Sequence, residues 1–314
     1  SLDGRVQTLE RCRPKSSRTL RPAGRLLRYV WNHPLNARGG RLAAIGRVFR
    51  WQLASRLLPG PIALPYVDDT WLFAARGMTG ATGNWYCGLH EVAEMAFVLH
   101  LLRPDDHFVD VGANVGSYTI LAGGGAKARV TAVEPIPETF ASLRRNVALN
   151  ALDDRVSCHR LGLSAAPGTL RFTSGLDTVN HVLSEKEDEA FLEVPVVRLD
   201  DLIEKAEPPV LIKVDVEGHE LAVLRGASKT LAHPGLLAVV METNGSGARY
   251  GVSDDELRAE MAHHGFAPFG YEPFERCLMN ATAPSGNTVF VRDCAAVETQ
   301  LRMAPRFRLA NRTI

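Results

Sequence analysis

No apolar run in the 314 residues approaches the roughly 18 needed to span a bilayer, and the first residues lack the apolar core of a signal peptide. The sequence therefore reads as one that does not span a membrane, and a cytoplasmic location is expected. Cysteine is scarce: Cys12, Cys87, Cys158, Cys277 and Cys294 are scattered, odd in number and form no C-x-x-C pair, which speaks against a zinc centre, a redox dithiol or a disulfide framework. Internal repeats and low-complexity tracts are also missing. What is present, 46% hydrophobic and 23% charged residues, is ordinary for a chain that folds on its own core. The length suits one large domain, or one standard domain with a substantial extension.

Acidic residues are nearly missing from the first 60 positions. These hold 13 Lys/Arg against only Asp3 and Glu10, a local balance of +11, which leaves −10 for the rest of a chain whose net charge is +1. Two readings stay open. The arginines either face water or the acidic body of the same chain, or they form a surface for anionic partners such as lipid headgroups or nucleic acid. They are spread out, whereas the lipid-binding signature is a tight cluster of about 4–8 basic residues.

Residues 1–20 are polar and without apolar period, which predicts a basic mobile arm. Apolar residues then recur at helical spacing from Leu26 to Leu58, predicting two amphipathic helices broken near His33-Pro34 and Gly39-Gly40. A short hairpin is expected between Ile62 and Gly83, and a helix from Leu89 to Leu102. Beyond Pro104 strands alternate with helices, the pattern of a parallel sheet covered on both faces. The expected strands are 107–111, 129–133, 156–161, 210–214, 237–241, 266–271 and 288–292, with helices over 115–121, 137–150, 218–231 and 254–263. A polar stretch from Leu163 to Glu193 is expected to be poor in strands and to overhang the carboxyl edge of the sheet, where ligands bind. The chain divides into an arm (1–20), a helical and hairpin extension (21–88), the sheet domain (89–295) and a C-terminal tail (296–314).

The most informative segment is Phe108-Val109-Asp110-Val111-Gly112-Ala113-Asn114-Val115-Gly116, an apolar strand running into a glycine turn and then a helix. Gly112 and Gly116 permit close backbone approach, and the helix presents free N–H groups. Glu134, 22 residues after Gly112, ends the second strand where a carboxylate can accept hydrogen bonds from both ribose hydroxyls. Together these describe a nucleoside pocket. A dinucleotide site wants G-x-G-x-x-G for its pyrophosphate. Here the turn reads G-A-N-V-G with Asp110 at the strand end, an acid better suited to an α-amino group, so S-adenosylmethionine is favoured over NAD.

At this point the chain resembles the FkbM-type methyltransferases. The resemblance is carried by Asp110 to Gly116, by Glu134-Pro135 with the helix ending Asn146-Val147-Ala148-Leu149-Asn150, and most specifically by Leu211-Ile212-Lys213-Val214-Asp215-Val216-Glu217-Gly218-His219-Glu220 running on to Leu224-Arg225-Gly226-Ala227. It covers about Glu91 to Arg292. It implies a Rossmann-like class I methyltransferase fold with a seven-stranded, mostly parallel sheet, here with an N-terminal helical and hairpin extension. It also implies that Asp110, Gly112, Asn114 and Gly116 hold the methionine end of the cofactor and that Glu134 holds the ribose. Glu91 matches a glutamate of the family and is counted with the cofactor-binding residues, and Asp200-Asp201 matches its leucine-aspartate step into the fourth strand.

Methyl transfer needs the acceptor aligned with the methyl group and water excluded, and an alcohol must also lose its proton. Lys213, Asp215, Glu217 and Glu220 cluster at the end of the fourth strand, and alternation puts Lys213 and Asp215 on one face. Polar groups in a buried strand cost several kcal/mol unless paired, roughly 2–7, so Asp215 reads as catalytic, with Lys213 and Glu217 beside it. A structural ion pair remains the competing account of Lys213, and helix capping that of Glu220. Asp215 and Glu242, with Glu217, could hold magnesium, or one acid could act as base without metal. His181, in the segment expected to overhang the site, is a further candidate base.

The expected function is O-methylation of a hydroxyl on a sugar, glycolipid or other polyhydroxylated metabolite. Two alternatives stand beside it: a nucleic-acid methyltransferase, which the +11 block would suit but the acidic body would not, and a non-catalytic, membrane-peripheral nucleoside-binding module using the Leu42–Leu58 helix. The expected partners are a small-molecule or glycan acceptor and, through the basic N-terminal region, a peripheral membrane contact.

Overall fold

The computed structural model describes residues 22–173, 181–183, 190–280, 286–310 and 312–314. The arm expected over residues 1–20 and Asn180 lie outside the described residues. Three helices come first, α1 (Pro22–Asn32), α2 (Pro34–Ala37) and α3 (Arg41–Leu57), separated where Pro34 and Gly39-Gly40 break the helical run. An antiparallel hairpin follows, β1 (Ile62–Pro65) with β2 (Trp71–Ala74). The helix α4 (Thr79–Cys87), which the sequence pattern did not announce, leads to α5 (Val92–Leu101).

The alternating region then runs β3 (His107–Val111), α6 (Ser117–Ile120), β4 (Arg129–Val133), α7 (Pro137–Leu149) and β5 (Val156–His159). After the short β6 (Gly162–Leu163), β7 (Gly168–Thr173) and β8 (Phe191–Val197) it continues with α8 (Leu199–Leu202), β9 (Leu211–Val214), α9 (Glu220–Arg225), α10 (Ser228–Ala232) and β10 (Ala238–Glu242). The last elements are α11 (Asp254–His263), β11 (Ala267–Glu272), β12 (Cys277–Asn280), β13 (Asn287–Val291) and α12 (Cys294–Arg302). The main sheet has the order β12-β11-β13-β10-β9-β3-β4-β5. From β5 to β10 all neighbours are parallel, while β13 enters antiparallel between β10 and β11. All seven anticipated strands are present, and β12 adds an eighth at the edge. The order reverses between β3 and β9, and the crevice at such a switch point is where open α/β sheets bind ligands.

Side chains of successive strand residues leave on opposite faces, and the two cores show it. Phe108, Leu211 and Val240 pack with α5 and the C-terminal Phe307, Leu309 and Ile314, whereas Val109, Ile212 and Val239 pack with α9, α10 and α11. The helical and hairpin extension has a smaller core of its own around Val48, Trp51, Ala74 and Tyr86, which reaches Val115 of the β3 loop. Two asparagines of α7 fasten it down. Asn150 exchanges both amide hydrogen bonds with the Trp71 backbone at 2.8 Å, and buried Asn146 accepts from Phe73 N while donating to Val115 O, each at 2.7 Å.

Among its described residues, the stretch Leu163–Glu193 is not strand-poor. A second, three-stranded sheet of order β6-β8-β7 takes in Leu163, Gly168–Thr173 and the first residues of β8, with β7 and β8 antiparallel from Gly168–Thr173 to Phe191–Val197. Its signal was weak because only Val194 and Val196 of β8 are fully buried and Pro195 interrupts the run. A proline is tolerated there since β6 pairs only with Val196 and Val197.

Candidate active site

The turn after β3 is shaped by what stands next to it. Gly112 has φ 76°, and a Cβ there would lie 1.8 Å from the carbonyl oxygen of Asp215 at the tip of β9. Only glycine lets the two strand ends come this close, so the close approach anticipated for a ligand is made first by a neighbouring strand. Asn114 follows in the left-handed region at φ 52°, a conformation its short amide tolerates. Its side chain accepts from Val115 N at 2.7 Å and its own N–H reaches Glu134 at 2.9 Å.

Glu134, just beyond β4, is buried, and its second oxygen accepts from Ile136 N at 3.0 Å. Burial pushes its carboxyl up to about 7, against the pull of those two N–H groups. Asp110 is fully buried: Thr119 donates to one oxygen at 2.6 Å and the other has no partner. Its carboxyl is also raised by burial, in spite of Lys213 on the adjacent strand.

At the tip of β9, the Nζ of Lys213 lies 3.0 Å from Asp215 and 4.9 Å from the Tyr118 ring centroid. Burial opposes the ammonium charge, but attraction to Asp215, Asp110 and Glu91 outweighs it, and the Lys213 pKa rises. The expected pairing of Lys213 with Asp215 is present. The Asp215 side chain stays 31% exposed against 4% for Lys213, so the acid faces the crevice while the lysine supports it from behind. One carboxylate oxygen each from Asp215, Glu217 and Glu242 lie within 4.8 Å of one another. Burial first, then repulsion by Asp215, raises the carboxyls of Glu217 and Glu242, the latter to about 8. Asn244 donates to one Glu242 oxygen at 2.6 Å, and the other is buried without a partner. Glu217 itself sits at φ 56°, followed by Gly218 at φ 106°, so this loop keeps its shape against a backbone cost of order 1–3 kcal/mol.

A cavity of about 270 Å³ opens along these strand ends. Among the proposed site residues, Glu91, Gly112, Asn114, Glu134, Lys213, Asp215, Glu217 and Glu242 line it. Asp110 and Gly116 stand behind the turn, and His181 is held away by backbone pairing with Thr173. Glu220 also lies outside the lining: it accepts from Val216 N at 3.2 Å and Gly218 N at 3.1 Å and so closes its own loop. Asp200 caps α10 through Lys229 N and Thr230 N at 3.0 and 2.9 Å. The wall residues Met78 and Thr79 from the start of α4, Tyr118 and Phe172 were not anticipated. Only Tyr118, whose hydroxyl donates to Glu91 at 2.7 Å, had a usable sequence signal, one turn along from the glycine loop.

The Methyltransferase FkbM domain profile matches residues 110–268, from the β3 tip into β11. The chain belongs to the FkbM methyltransferase family. Its similarity to individual relatives is moderate. It is 36% identical over 183 residues to the hexuronic acid methyltransferase AglP of Haloferax volcanii, covering 56% of this chain and 73% of that protein. Against Methyltransferase 1 of Beauveria bassiana the identity is 33% over 150 residues, covering 39% and 59%. Against the 31-O-demethyl-FK506 methyltransferase FkbM of Streptomyces tacrolimicus it is 30% over 197 residues, covering 52% and 74%. As an FkbM member the protein is an S-adenosylmethionine-dependent methyltransferase with the Rossmann-like class I fold.

The cavity suits that cofactor. Five acidic side chains, Glu91, Glu134, Asp215, Glu217 and Glu242, three of them with raised pKa values, line the cavity with Lys213 as its one ammonium. Such a charge balance favours a cationic ligand carrying a sulfonium and an α-ammonium, and it opposes a pyrophosphate.

Proposed function

We propose that the protein transfers a methyl group from S-adenosylmethionine to a hydroxyl oxygen of a sugar or other polyhydroxylated small molecule. The observation that carries the reading is the carboxylate group at the mouth of the cavity, where Asp215, Glu217 and Glu242 crowd within 4.8 Å. When bound, the cofactor supplies an electrophilic methyl on a good leaving group. The chain must orient the acceptor, shield it from water and accept its proton. Glu134, beside the turn of Gly112 and Asn114, is assigned the ribose; the turn, with Asp110 and Gly116 behind it, the methionine end; and Glu91 the cavity wall. Lys213 pairs with Asp215 at 3.0 Å and holds it in place, and Asp215 is assigned the role of proton acceptor. Glu217 and Glu242, both raised by burial and by Asp215, are assigned the positioning of the acceptor by hydrogen bonds. His181 is left a supporting place outside the cavity.

A second reading of the same three acids is favoured by their spacing: together they could hold a magnesium ion that keeps most of its waters. EDTA separates the two readings, since a metal site loses activity and regains it with magnesium, while bare carboxylates are indifferent. Because one relative is named a hexuronic acid methyltransferase, uronic acid glycosides are the first acceptors to try. The test is transfer of labelled methyl from S-adenosylmethionine to such glycosides, with the attachment atom read by NMR. A methyl ether supports the proposal. A methylated nitrogen or carbon, or transfer only to nucleic acid, overturns it.

A further inference from the structure

The helix α3 is apolar on two opposite faces, and the fold covers only one of them. Ala44, Val48 and Trp51 are buried in the core of the extension. On the other side Leu42, Phe49, Leu53 and Leu57 stand 80, 63, 62 and 71% exposed. At 3.6 residues per turn these four fall within roughly a quarter of the helix circumference, with exposed Arg50 on one flank and Arg56 on the other. A helix that is apolar all round is ordinarily buried, so this outer face calls for an occupant.

The charge pattern says which. Residues 22–58 contain seven arginines and no Asp or Glu. One of the seven, Arg47, is used inside, where it donates to Tyr86 O at 2.7 Å. A second copy docking through this face about a two-fold axis would set like charges against each other. Residues 1–21 carry six Lys/Arg against two acids, so they too are repelled. Protruding leucines and a phenylalanine between arginines match the headgroup boundary of an anionic bilayer, where the apolar side chains enter the acyl edge and the guanidinium groups meet phosphates. No helix among the described residues is long and apolar enough to cross a membrane.

We infer that α3 is a peripheral membrane-binding face, with Leu42, Phe49, Leu53 and Leu57 entering an anionic leaflet between Arg50 and Arg56. The inference goes beyond the acceptor question, because binding is read without turnover. Co-sedimentation of the full chain with phosphatidylglycerol-containing vesicles, against phosphatidylcholine alone, tests it. The anionic vesicles should retain the protein. Phe49→Asp with Leu53→Asp should lower the bound fraction about tenfold or more, and Arg50→Glu with Arg56→Glu should remove the preference for anionic lipid. S-adenosylmethionine affinity should stay unchanged in both variants, which shows that they fold. Failure of the wild type to bind anionic vesicles overturns the inference. So does a dimer in solution that Phe49→Asp with Leu53→Asp dissociates, or vesicle binding that appears only after residues 1–21 are removed, since a second copy or the chain's own N-terminal segment would then be the occupant.

Discussion

The carboxylates of the crevice differ in surroundings, and each has its own expected behaviour. Asp215→Asn keeps the shape and the contact with Lys213 but cannot take a proton, so kcat should fall about 10²-fold or more. Cofactor affinity should stay within about tenfold, equivalent to 1.4 kcal/mol. Near-normal turnover would reduce Asp215 to a structural partner of Lys213. Glu134→Ala removes the acceptor beside the turn and should weaken S-adenosylmethionine binding by about 1–3 kcal/mol in calorimetry. Glu242 has a pH signature. Its folded carboxyl is raised to about 8 by burial and by Asp215, well above the value of an unfolded glutamate. The folded state therefore binds the extra proton, and that contribution to stability is present at low pH and lost as pH rises through about 8. His33, His90, His100, His107, His159 and His219 are all held below their ordinary value by burial, so well above about pH 7 they are neutral in both states and add little slope. Between about pH 7 and 9 the ligand-free wild type should lose thermal stability, and Glu242→Gln should lose less. Equal slopes in the two proteins would remove the assigned proton from Glu242.

At the scale of elements, legibility followed burial and chain locality. The central strands β3, β4, β9, β10 and β13 were visible because they are buried on both faces and read as short apolar runs, and α11 because Ser253 and Glu256 form a capping box. The hairpin β7–β8 was hidden by a half-exposed pattern and a proline. The helix α4 was hidden by Gly80 and Gly83, which the helix accommodates although glycine is a poor helix former. The acids at the β9 tip were legible as a cluster, but not their division of labour, because Glu220 turns back to its own loop and Glu242 arrives from another strand. Asp200 shows the same limit: its sequence block was recognisable, while its task of joining α8 to the start of α10 depends on a contact 30 residues away. Burial opposes its charge, but the N–H groups of Lys229 and Thr230, with Arg198, draw its pKa down. Asp200→Ala should therefore cost about 1–3 kcal/mol in urea unfolding at neutral pH. Because its folded pKa is depressed, the loss should shrink as pH falls through the ordinary aspartate range.

Over the whole molecule, the described cores close without residues 1–20: their N-terminal contributions begin at Leu26, Leu27 and Val30. Removing residues 1–20 should leave the melting temperature and cofactor affinity unchanged, and a fall in soluble yield or in melting temperature would show the segment to be structural. The basic block of the sequence splits accordingly. One part lies before α1; the other is built into the extension, which α7 ties to the turn after β3 through Asn146 and Asn150.

The acidity of the cavity also bears on what happens after transfer. S-adenosylmethionine enters with a fixed positive charge at sulfur, and its spent form is a neutral thioether. Glu91, Glu134, Asp215, Glu217 and Glu242 with Lys213 as the single cation attract the first more than the second, by an electrostatic margin that grows as the crevice excludes water. A pocket of this charge would hold the cationic cofactor more firmly than its neutral by-product, and competition by that by-product should weaken as further carboxylates ionise with rising pH.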